Sequence, residues 1–249
     1  MLTLERYKMI LDILSERDAA SVTELAVMIG TSESTIRRDL IALDKEGRLR
    51  KVYGGATAIN HTQGASEDEV TVRDVMMSQE KELIAEYAAG LINHDDFIYI
   101  DSGTTTSRLI DHIGNTNATF VTNGIIHAQK LLSKGLKAYM IGGKIKAVTA
   151  SVVGAEGIRN LGKFNFTKSF LGTNGIDITA GFTTPDSEEA LMKAKAIEKS
   201  FAVFVLADHS KFRKVYPVSF AELKMCCIVT DQLPYGGFSD KTIIREVTT

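Results

Sequence analysis

Residues 98–107, IYIDSGTTTS, gather hydroxyl groups around a glycine just after a run of β-branched and aromatic residues. The backbone N–H groups at a helix N-terminus point outward, and the helix dipole favours an anion there. We therefore expect a cradle for one phosphate group, built from Asp101, Ser102, Gly103, Thr104, Thr105 and Thr106. The turn lacks the lysine of a P-loop and the G-x-G-x-x-G pattern, so nucleotide binding is not indicated. A Ser/Thr-rich helix cap with no ligand is the alternative.

Polar residues also follow the other strand-like runs of this part of the chain. The carboxyl ends of parallel strands meet at one edge of a sheet, where open α/β folds bind ligands. We expect the following residues at that edge: Thr122, Asn123, Gly142, Gly143, residues 172–177, Asp208 and Lys211.

Near the start of the chain, the segment TSESTIRRDL has side chains suited to contacts with DNA bases and phosphates. Ile36, Leu40 and Leu43 fall on one helical stripe, so the opposite face presents two hydroxyls and two guanidiniums: Ser34, Thr35, Arg37 and Arg38. Arginine can bind guanine with two hydrogen bonds, and hydroxyls can bind bases or phosphates. Residues 37–51 hold six basic and three acidic side chains, a local balance of +3. A solvated helix face with ordinary arginines is the alternative.

The elements that would position these residues divide the chain in three. Residues 1–57 read as three helices and a hairpin around Gly54 and Gly55, which predicts a winged helix-turn-helix. Ser21 and Glu24 form a capping-box pattern at the second helix, and Gly47 is the expected end of the third. Residues 58–74 are polar and nearly aperiodic, as in a linker. Residues 75–249 alternate strands and helices, which predicts an α/β sensor domain with a largely parallel sheet.

Composition and simple sequence patterns argue against an overall basic protein, a membrane protein and a metalloprotein. The net charge of −2 gives no overall basic field, so any affinity for nucleic acid must be local. We expect a cytoplasmic protein with no membrane partner, because the N-terminus lacks a signal-peptide pattern and no apolar run reaches about 18 residues. The adjacent Cys226 and Cys227 lie in a strand pattern that makes a disulfide between them improbable. The five histidines show no metal-ligand spacing, and we expect no metal and no cofactor.

The front of the chain resembles the DeoR family of bacterial transcriptional regulators. The resemblance lies in TSESTIRRDLIALDKEGRLRKVYGGA, with T-I-R-R-D-L on the third helix and a basic strand ending in G-G-A. It implies that Arg50, Lys51 and Tyr53 on the wing contact DNA. Tyr53 stands where many members have histidine, and Arg48 where leucine is common. These departures affect wing contacts and leave the fold unchanged.

Residues 75–240 resemble the sensor domain of the same family. The resemblance lies in DSGTTT, TN, GG, GTNGID, GFTTPDSEEALMK and ADHSKF, in that order. It implies a fold similar to ribose-5-phosphate isomerase and a phosphorylated sugar, sugar alcohol or related metabolite as ligand. The candidates for contacts to the sugar, or for holding the site, are Asn174, Asp177, Lys193, Asp208 and Lys211. Lys193 could instead pair with Glu189, one helical turn before it.

Two classes of function are compatible with these patterns. The first is a regulator, expected to be a repressor of a carbohydrate-use operon, that binds double-stranded operator DNA as a dimer or tetramer and responds to a metabolite. The second is an aldose–ketose phosphate isomerase fused to a DNA-binding unit. It would need Asp177 or Asp208 as a base and Lys193 or Lys211 to polarise the carbonyl. The resemblance favours the regulator.

Overall fold

The structure is a computed structural model that describes residues 3–17, 19–45, 48–57, 77–234 and 237–247. Its contacts divide the chain into two compact units, Met1–Gln63 and Gly64–Thr249. We call them the head and the sensor unit and describe each separately. The expected linker, residues 58–74, and the expected helix end at Gly47 lie outside the described residues.

The head contains the three helices expected from the sequence: α1 (Thr3–Arg17), α2 (Val22–Ile29) and α3 (Glu33–Lys45). The capping box is confirmed, since the Ser21 hydroxyl accepts from the Glu24 N–H and the Glu24 carboxylate accepts from the Ser21 N–H. Gly30 ends α2 with φ +72°, a left-handed conformation that glycine adopts without a steric cost. Ser32 begins α3 by accepting from the Thr35 N–H at 3.3 Å.

The wing is a small antiparallel sheet of β1 (Ala19–Ser21), β2 (Arg50–Val52) and β3 (Gly55–Thr57) in the order β1-β3-β2. The hairpin at Gly54 is confirmed, and Gly54 has φ +83°. Strand β1 is too short to be evident from the sequence. A Cβ at Gly55 would lie 2.3 Å from the Ala20 carbonyl oxygen, so this close pairing requires glycine. Ile36, Leu40 and Leu43 are fully buried in the core beneath α3, as their spacing predicted.

The sensor unit contains twelve strands among its described residues. They are β4 (Phe97–Ile100), β5 (Thr119–Thr122), β6 (Lys137–Met140), β7 (Lys144–Lys146), β8 (Ser151–Val153), β9 (Phe166–Gly172), β10 (Gly175–Asp177), β11 (Gly181–Thr184), β12 (Ser200–Leu206), β13 (Val218–Ala221), β14 (Cys227–Thr230) and β15 (Ile244–Glu246). Seven form one sheet in the order β15-β14-β12-β9-β4-β5-β6, and every neighbouring pair is parallel. The predicted α/β class with a parallel sheet is therefore confirmed.

Helices cover both faces of this sheet. They are α4 (Ser78–Ala89), α5 (Thr104–His112), α6 (Ile125–Ser133), α7 (Gly154–Leu161) and α8 (Ser187–Glu198). Ile98 and Ile100 pack in one core with α4, α5 and α6, whereas Tyr99 packs in another with α7 and α8. This alternation is the period-two pattern of a strand buried on both faces.

Shorter strands complete the sensor unit. The antiparallel sheet β10-β11-β13 and the β7–β8 hairpin were not predicted, and neither were α4 and α7. Cys226 and Cys227 are free thiols, as expected, and burial raises the pKa of Cys226 to about 12.

The order of strands determines where a ligand can bind. From β4 the chain continues through α5 to β5 on one side, while β9 pairs with β4 on the other side. In open α/β sheets a crevice forms outside the carboxyl ends of the strands at such a switch point. The DSGTTT turn follows β4 and the GTN segment follows β9, so both lie at this crevice.

Candidate functional site

A buried ion pair joins the ends of β4 and β9. The Asp101 carboxylate accepts from the Gly172 N–H at 3.1 Å and from the Lys193 ammonium. Lys193 also donates to the Gly172 carbonyl at 3.0 Å. Asp101 and Lys193 are 3% and 6% exposed, so both charges are neutralised locally. Asp101 thus fixes the DSGTTT turn to the end of β9. Lys193 lies on the same helix as Glu189 but pairs with Asp101, which is distant in sequence.

The DSGTTT turn is stabilised by its own last threonine. The Thr106 hydroxyl accepts from the Gly103 N–H at 2.8 Å and lies 2.5 Å from the Asp101 carbonyl, to which it can donate. Below it, His127 Nε2 lies 3.0 Å from the Gly103 carbonyl oxygen and 3.1 Å from the Thr106 hydroxyl. Because a carbonyl only accepts, His127 carries its proton on Nε2. Burial lowers the pKa of His127 to about 4, so the ring is neutral at physiological pH.

The start of α5 keeps its donors available. The first N–H groups of a helix have no partner within the helix, and Thr104 and Thr105 occupy these positions. Within the described ranges, neither their N–H groups nor the hydroxyls of Ser102, Thr104 and Thr105 have a hydrogen-bond partner. The turn therefore keeps several donors unused within the described ranges.

These donors face a cleft that we call the sensor pocket. It contains about 570 Å³ of empty space, including open solvent at its mouth. Its lining residues are Lys81, Ser102, Gly103, Thr104, Thr105, Thr149, Gly172, Thr173, Asn174, Glu189, Lys193, Leu206 and Lys211. Of its three lysines, Lys193 is already paired with Asp101, so Lys81, Lys211 and Glu189 leave a formal charge of +1. Hydroxyls, helix N–H groups and lysines together are the donors that proteins use to bind phosphate esters.

Nine residues expected at the site line this pocket: Ser102, Gly103, Thr104, Thr105, Gly172, Thr173, Asn174, Lys193 and Lys211. Asn174 accepts from the Thr184 hydroxyl at 3.1 Å through its carbonyl oxygen, which orients its amide. The pocket thus has a hydroxyl-rich end at α5 and a mixed polar end at β9 and α8.

Two expected carboxylates have other contacts. Asp177 accepts from the N–H groups of Thr179 and Ala180 at 2.8 and 2.7 Å, and so closes the turn after β10. Asp208 is 1% exposed and accepts from the Ser210 N–H at 3.0 Å. Neither residue lines the sensor pocket. Both carboxylates therefore stabilise their own turns, and their expected role as sugar ligands stays a prediction.

The remaining expected residues also lie outside the pocket lining. The fully buried Thr122 accepts from the Gly124 N–H at 3.0 Å, and the Asn123 amide donates to the Val152 carbonyl at 3.1 Å. A Cβ at Gly143 would lie 3.0 Å from the Gly157 nitrogen, so this glycine permits close packing of β7 and α7. Thr106, Thr122, Asn123, Gly142 and Gly143 do not line the sensor pocket, and their contact with a ligand stays a prediction.

Several lining residues were missed from the sequence, above all Lys81. It is 3% exposed and shares the buried stripe of α4 with Ile84, Ala85 and Ala88. A lysine on an otherwise apolar stripe is a detectable signal, because a buried ammonium requires polar surroundings. Thr149 and Glu189 were missed because a short loop and an inward-facing helix position bring them to the pocket.

In the head, α3 presents its expected residues on the surface. Arg37 pairs with Glu33 at 2.6 Å, one turn earlier, and Glu33 also accepts from the Thr23 hydroxyl at 2.7 Å. Arg38 is exposed, and in the part of the head that the structure describes it has no acidic partner. The hydroxyls of Ser34 and Thr35 each lie 2.9 Å from that of Ser32. Arg38 is thus the arginine on α3 most available to a base.

The wing presents Arg50, Lys51 and Tyr53 to solvent, with Tyr53 fully exposed at the hairpin tip. The Lys51 N–H donates to the Asp44 carboxylate at 2.8 Å, which joins β2 to the end of α3. An ammonium on a short exposed strand suits a phosphate contact more than a base contact.

An ion pair that the sequence did not predict fixes α3 against α1. The Arg6 guanidinium donates to both carboxylate oxygens of Asp39, at 2.5 and 2.9 Å. Asp39 is 4% exposed. Such two-point pairing defines orientation as well as distance, so it holds the surface of α3 in one position.

Comparison with known proteins identifies both units. The DeoR-like helix-turn-helix domain matches residues 6–62, and the DeoR C terminal sensor domain matches residues 76–232. These matches define the class, a DNA-binding transcriptional regulator with a sensor domain. The chain belongs to the DeoR family of such regulators.

Relatives that align with nearly the whole chain are also transcriptional regulators or repressors. The chain is 38% identical to the HTH-type transcriptional regulator FruR of Bacillus subtilis, over 99% of each chain. It is 31% identical to the HTH-type transcriptional repressor GlcR of the same organism, over 95% of this chain and 91% of that one. It is 30% identical to the lactose phosphotransferase system repressor of Staphylococcus aureus, over 91% of each. Such relatives make the chain a regulator and not an enzyme.

Among solved structures, ribose 5-phosphate isomerase A of Methanocaldococcus jannaschii covers 55% of each chain with a TM-score of 0.42 and 14% identity. Among the described residues, no helix combines the length and apolar character needed to cross a membrane. In the same residues, no cluster of three or more His, Cys, Asp or Glu side chains could hold a metal ion.

Proposed function

We propose that this protein is a repressor of a carbohydrate-use operon, acting in the cytoplasm, and that a phosphorylated sugar or related metabolite bound in the sensor pocket controls its affinity for operator DNA. The observation that carries the proposal is the start of α5. There, unused N–H and hydroxyl donors of Ser102, Thr104 and Thr105 face a pocket that also contains three lysines. The phosphate would bind these donors, and the sugar hydroxyls would lie toward Asn174 and Glu189.

The regulatory step follows from linkage. If the effector binds the DNA-free arrangement better, it weakens operator binding, and DNA weakens effector binding by the same factor. Allosteric couplings are typically about 1–3 kcal/mol, roughly 5- to 150-fold in affinity. A single head buries too little surface for high specificity, so we propose a dimer or tetramer that places heads on repeated half-sites.

The test is thermal stability against a panel of sugar and sugar-alcohol phosphates, each beside its unphosphorylated form. A ligand that binds the folded state raises the melting temperature by mass action. A shift that requires the phosphate, followed by release of operator DNA with the same compound, supports the proposal. Full operator affinity at saturating concentrations of every compound that binds would contradict the regulatory role.

Replacing Thr105 with valine should weaken binding of the effective phosphate ester roughly 10-fold or more, because a hydrogen bond to a charged group contributes about 1.5–3 kcal/mol. Operator affinity without effector should be unchanged, since Thr105 lies in the sensor unit. Thr179→Val, in the exposed turn after β10, is the matched control. Calorimetric titration measures the affinity. Unchanged affinity in Thr105→Val would remove this residue from the site.

Replacing Arg38 with alanine should weaken binding to a selected operator by about 1–3 kcal/mol, roughly 5- to 150-fold, with a much smaller loss on random duplex. A site can be selected from a random-sequence pool with the wild-type protein and used in competition assays at fixed salt. Arg17→Ala, an exposed arginine at the end of α1, is the control. Equal losses on both DNAs would show that Arg38 contacts phosphate only.

A further inference from the structure

A second cavity adjoins the sensor pocket on the other side of the DSGTTT turn, and we call it the second lobe. It contains about 820 Å³ of empty space, including the solvent at its mouth. Ser102, Gly103, Thr104 and Thr149 line both cavities. The rest of the second lobe is a groove between α5 and α6, lined by Ser107, Arg108, Asp111, Ile126, His127, Lys130 and Ala150.

The second lobe brings two cations together from different helices. Arg108 lies one turn after Thr104 on α5, and Lys130 reaches across from α6. Asp111 is the one carboxylate of the lining, so the formal charge of the lining is +1. His127 adds no charge at physiological pH, because burial lowers its pKa to about 4.

Both cations are oriented before any ligand arrives. The Arg108 guanidinium donates to Glu82 of α4 at 3.2 Å, and Lys130 donates to the Ser107 carbonyl at 3.1 Å and to Asp111 at 2.6 Å. Glu82 and Asp111 are about half exposed, with side-chain exposures of 47% and 52%. Solvated carboxylates neutralise a cation incompletely, so an anion in the groove still gains from both.

Position along α5 links this cation pair to the first site. Thr104 and Arg108 are four residues apart, about 6 Å along the helix axis. A small molecule with two anionic groups can therefore contact both the turn and Arg108.

We propose that the second lobe is a second phosphate site. The inference rests on the proposed function and deepens it, because it assigns the sensor unit two phosphate groups for each chain. The second phosphate can belong to the same effector, as in a sugar bisphosphate, or to a second phosphate ester. Arg108 and Lys130 are the residues that recognise it.

Isothermal titration of the full chain distinguishes these sources. The probes are fructose 1-phosphate, fructose 6-phosphate, fructose 1,6-bisphosphate and inorganic phosphate. If one molecule fills both sites, the bisphosphate binds with one molecule per chain and about ten-fold or more tighter than either monophosphate, as charge-assisted hydrogen bonds provide. If two molecules bind, the monophosphate or inorganic phosphate titrates with two sites per chain.

Two variants test the assignment of residues. Arg108→Gln and Lys130→Gln should each remove the bisphosphate advantage or the second site, and leave the first monophosphate affinity within about two-fold. Arg159→Gln, which removes an exposed arginine paired with Glu156 on α7, should change nothing. Lys130 provides a second variant should Arg108→Gln disturb the contact with α4.

The outcomes that overturn the inference differ from those that overturn the proposed function. One monophosphate site with no bisphosphate advantage, or an advantage that survives in both variants, overturns the second phosphate site alone. No binding of any phosphate ester in this set or in the wider sugar and sugar-alcohol panel overturns both proposals.

Discussion

Replacing Lys193 with methionine is expected to lower the free energy of unfolding of the sensor unit by about 3–5 kcal/mol. The change would leave the Asp101 carboxylate 3% exposed, with the Gly172 N–H as its remaining donor. A buried charge without its partner keeps the cost of desolvation and loses the attraction that offset it. Urea unfolding, followed by fluorescence or circular dichroism, measures the difference.

A matched control lies on the same helix. Lys195 pairs with Glu198 at 2.5 Å on the surface, with side-chain exposures of 28% and 60%. Lys195→Met should therefore cost at most about 1 kcal/mol. The double variant Asp101→Asn with Lys193→Met should recover part of the loss, because it leaves no unpaired charge. Equal effects of Lys193→Met and Lys195→Met would mean that Asp101 is solvated in the protein.

The ion pair also illustrates what the sequence could not reveal. On α8, local spacing offered Glu189 as the neighbour of Lys193, whereas the structure pairs Lys193 with Asp101, 92 residues away. Helical spacing is a local signal. The pairing of β4 with β9 is not local, because it depends on the order of strands in the sheet.

The sequence also did not predict the turn contacts of the carboxylates at the strand ends. Asp177 and Asp208 lie near strand ends, as expected, but their own turns supply N–H groups at 2.7–3.0 Å. Aspartate readily hydrogen-bonds the backbone two or three residues on. The sequence of a strand end does not tell whether such a carboxylate bonds its own turn or a ligand.

Motifs that act through a single helix were predicted well. The capping box at Ser21, the buried stripe of α3 and the turn before α5 all depend on spacing within one element. By contrast, Lys81 and Thr149 reach the sensor pocket from elements whose place depends on the whole fold. Three-residue strands such as β1 and β7 carry too little periodicity to be recognised.

Lowering the pH from 7 to 4.5 should destabilise the sensor unit through His127 by about 2–3 kcal/mol. Burial lowers the pKa of this ring from 6.5 to about 4. The unfolded chain therefore binds a proton first as the pH falls, and the stability due to the neutral ring is lost from about pH 6.5 down to 4. Carboxylates such as Asp96 affect stability at a lower pH than His127 does. Burial alone would raise the pKa of Asp96, but the hydrogen bond from Lys168 lowers this pKa below 3.8.

His127→Gln isolates this effect, because a glutamine amide can still donate to the Gly103 carbonyl but does not titrate. The variant should show a smaller loss of stability between pH 7 and 4.5 than the wild type, by the same 2–3 kcal/mol or so. His94→Gln, at an exposed position, should follow the wild-type curve. Urea unfolding at several pH values in one buffer series measures the three curves. Parallel curves for wild type and His127→Gln would mean that the ring protonates equally in the folded and unfolded states, and that it does not hold the turn as a neutral donor.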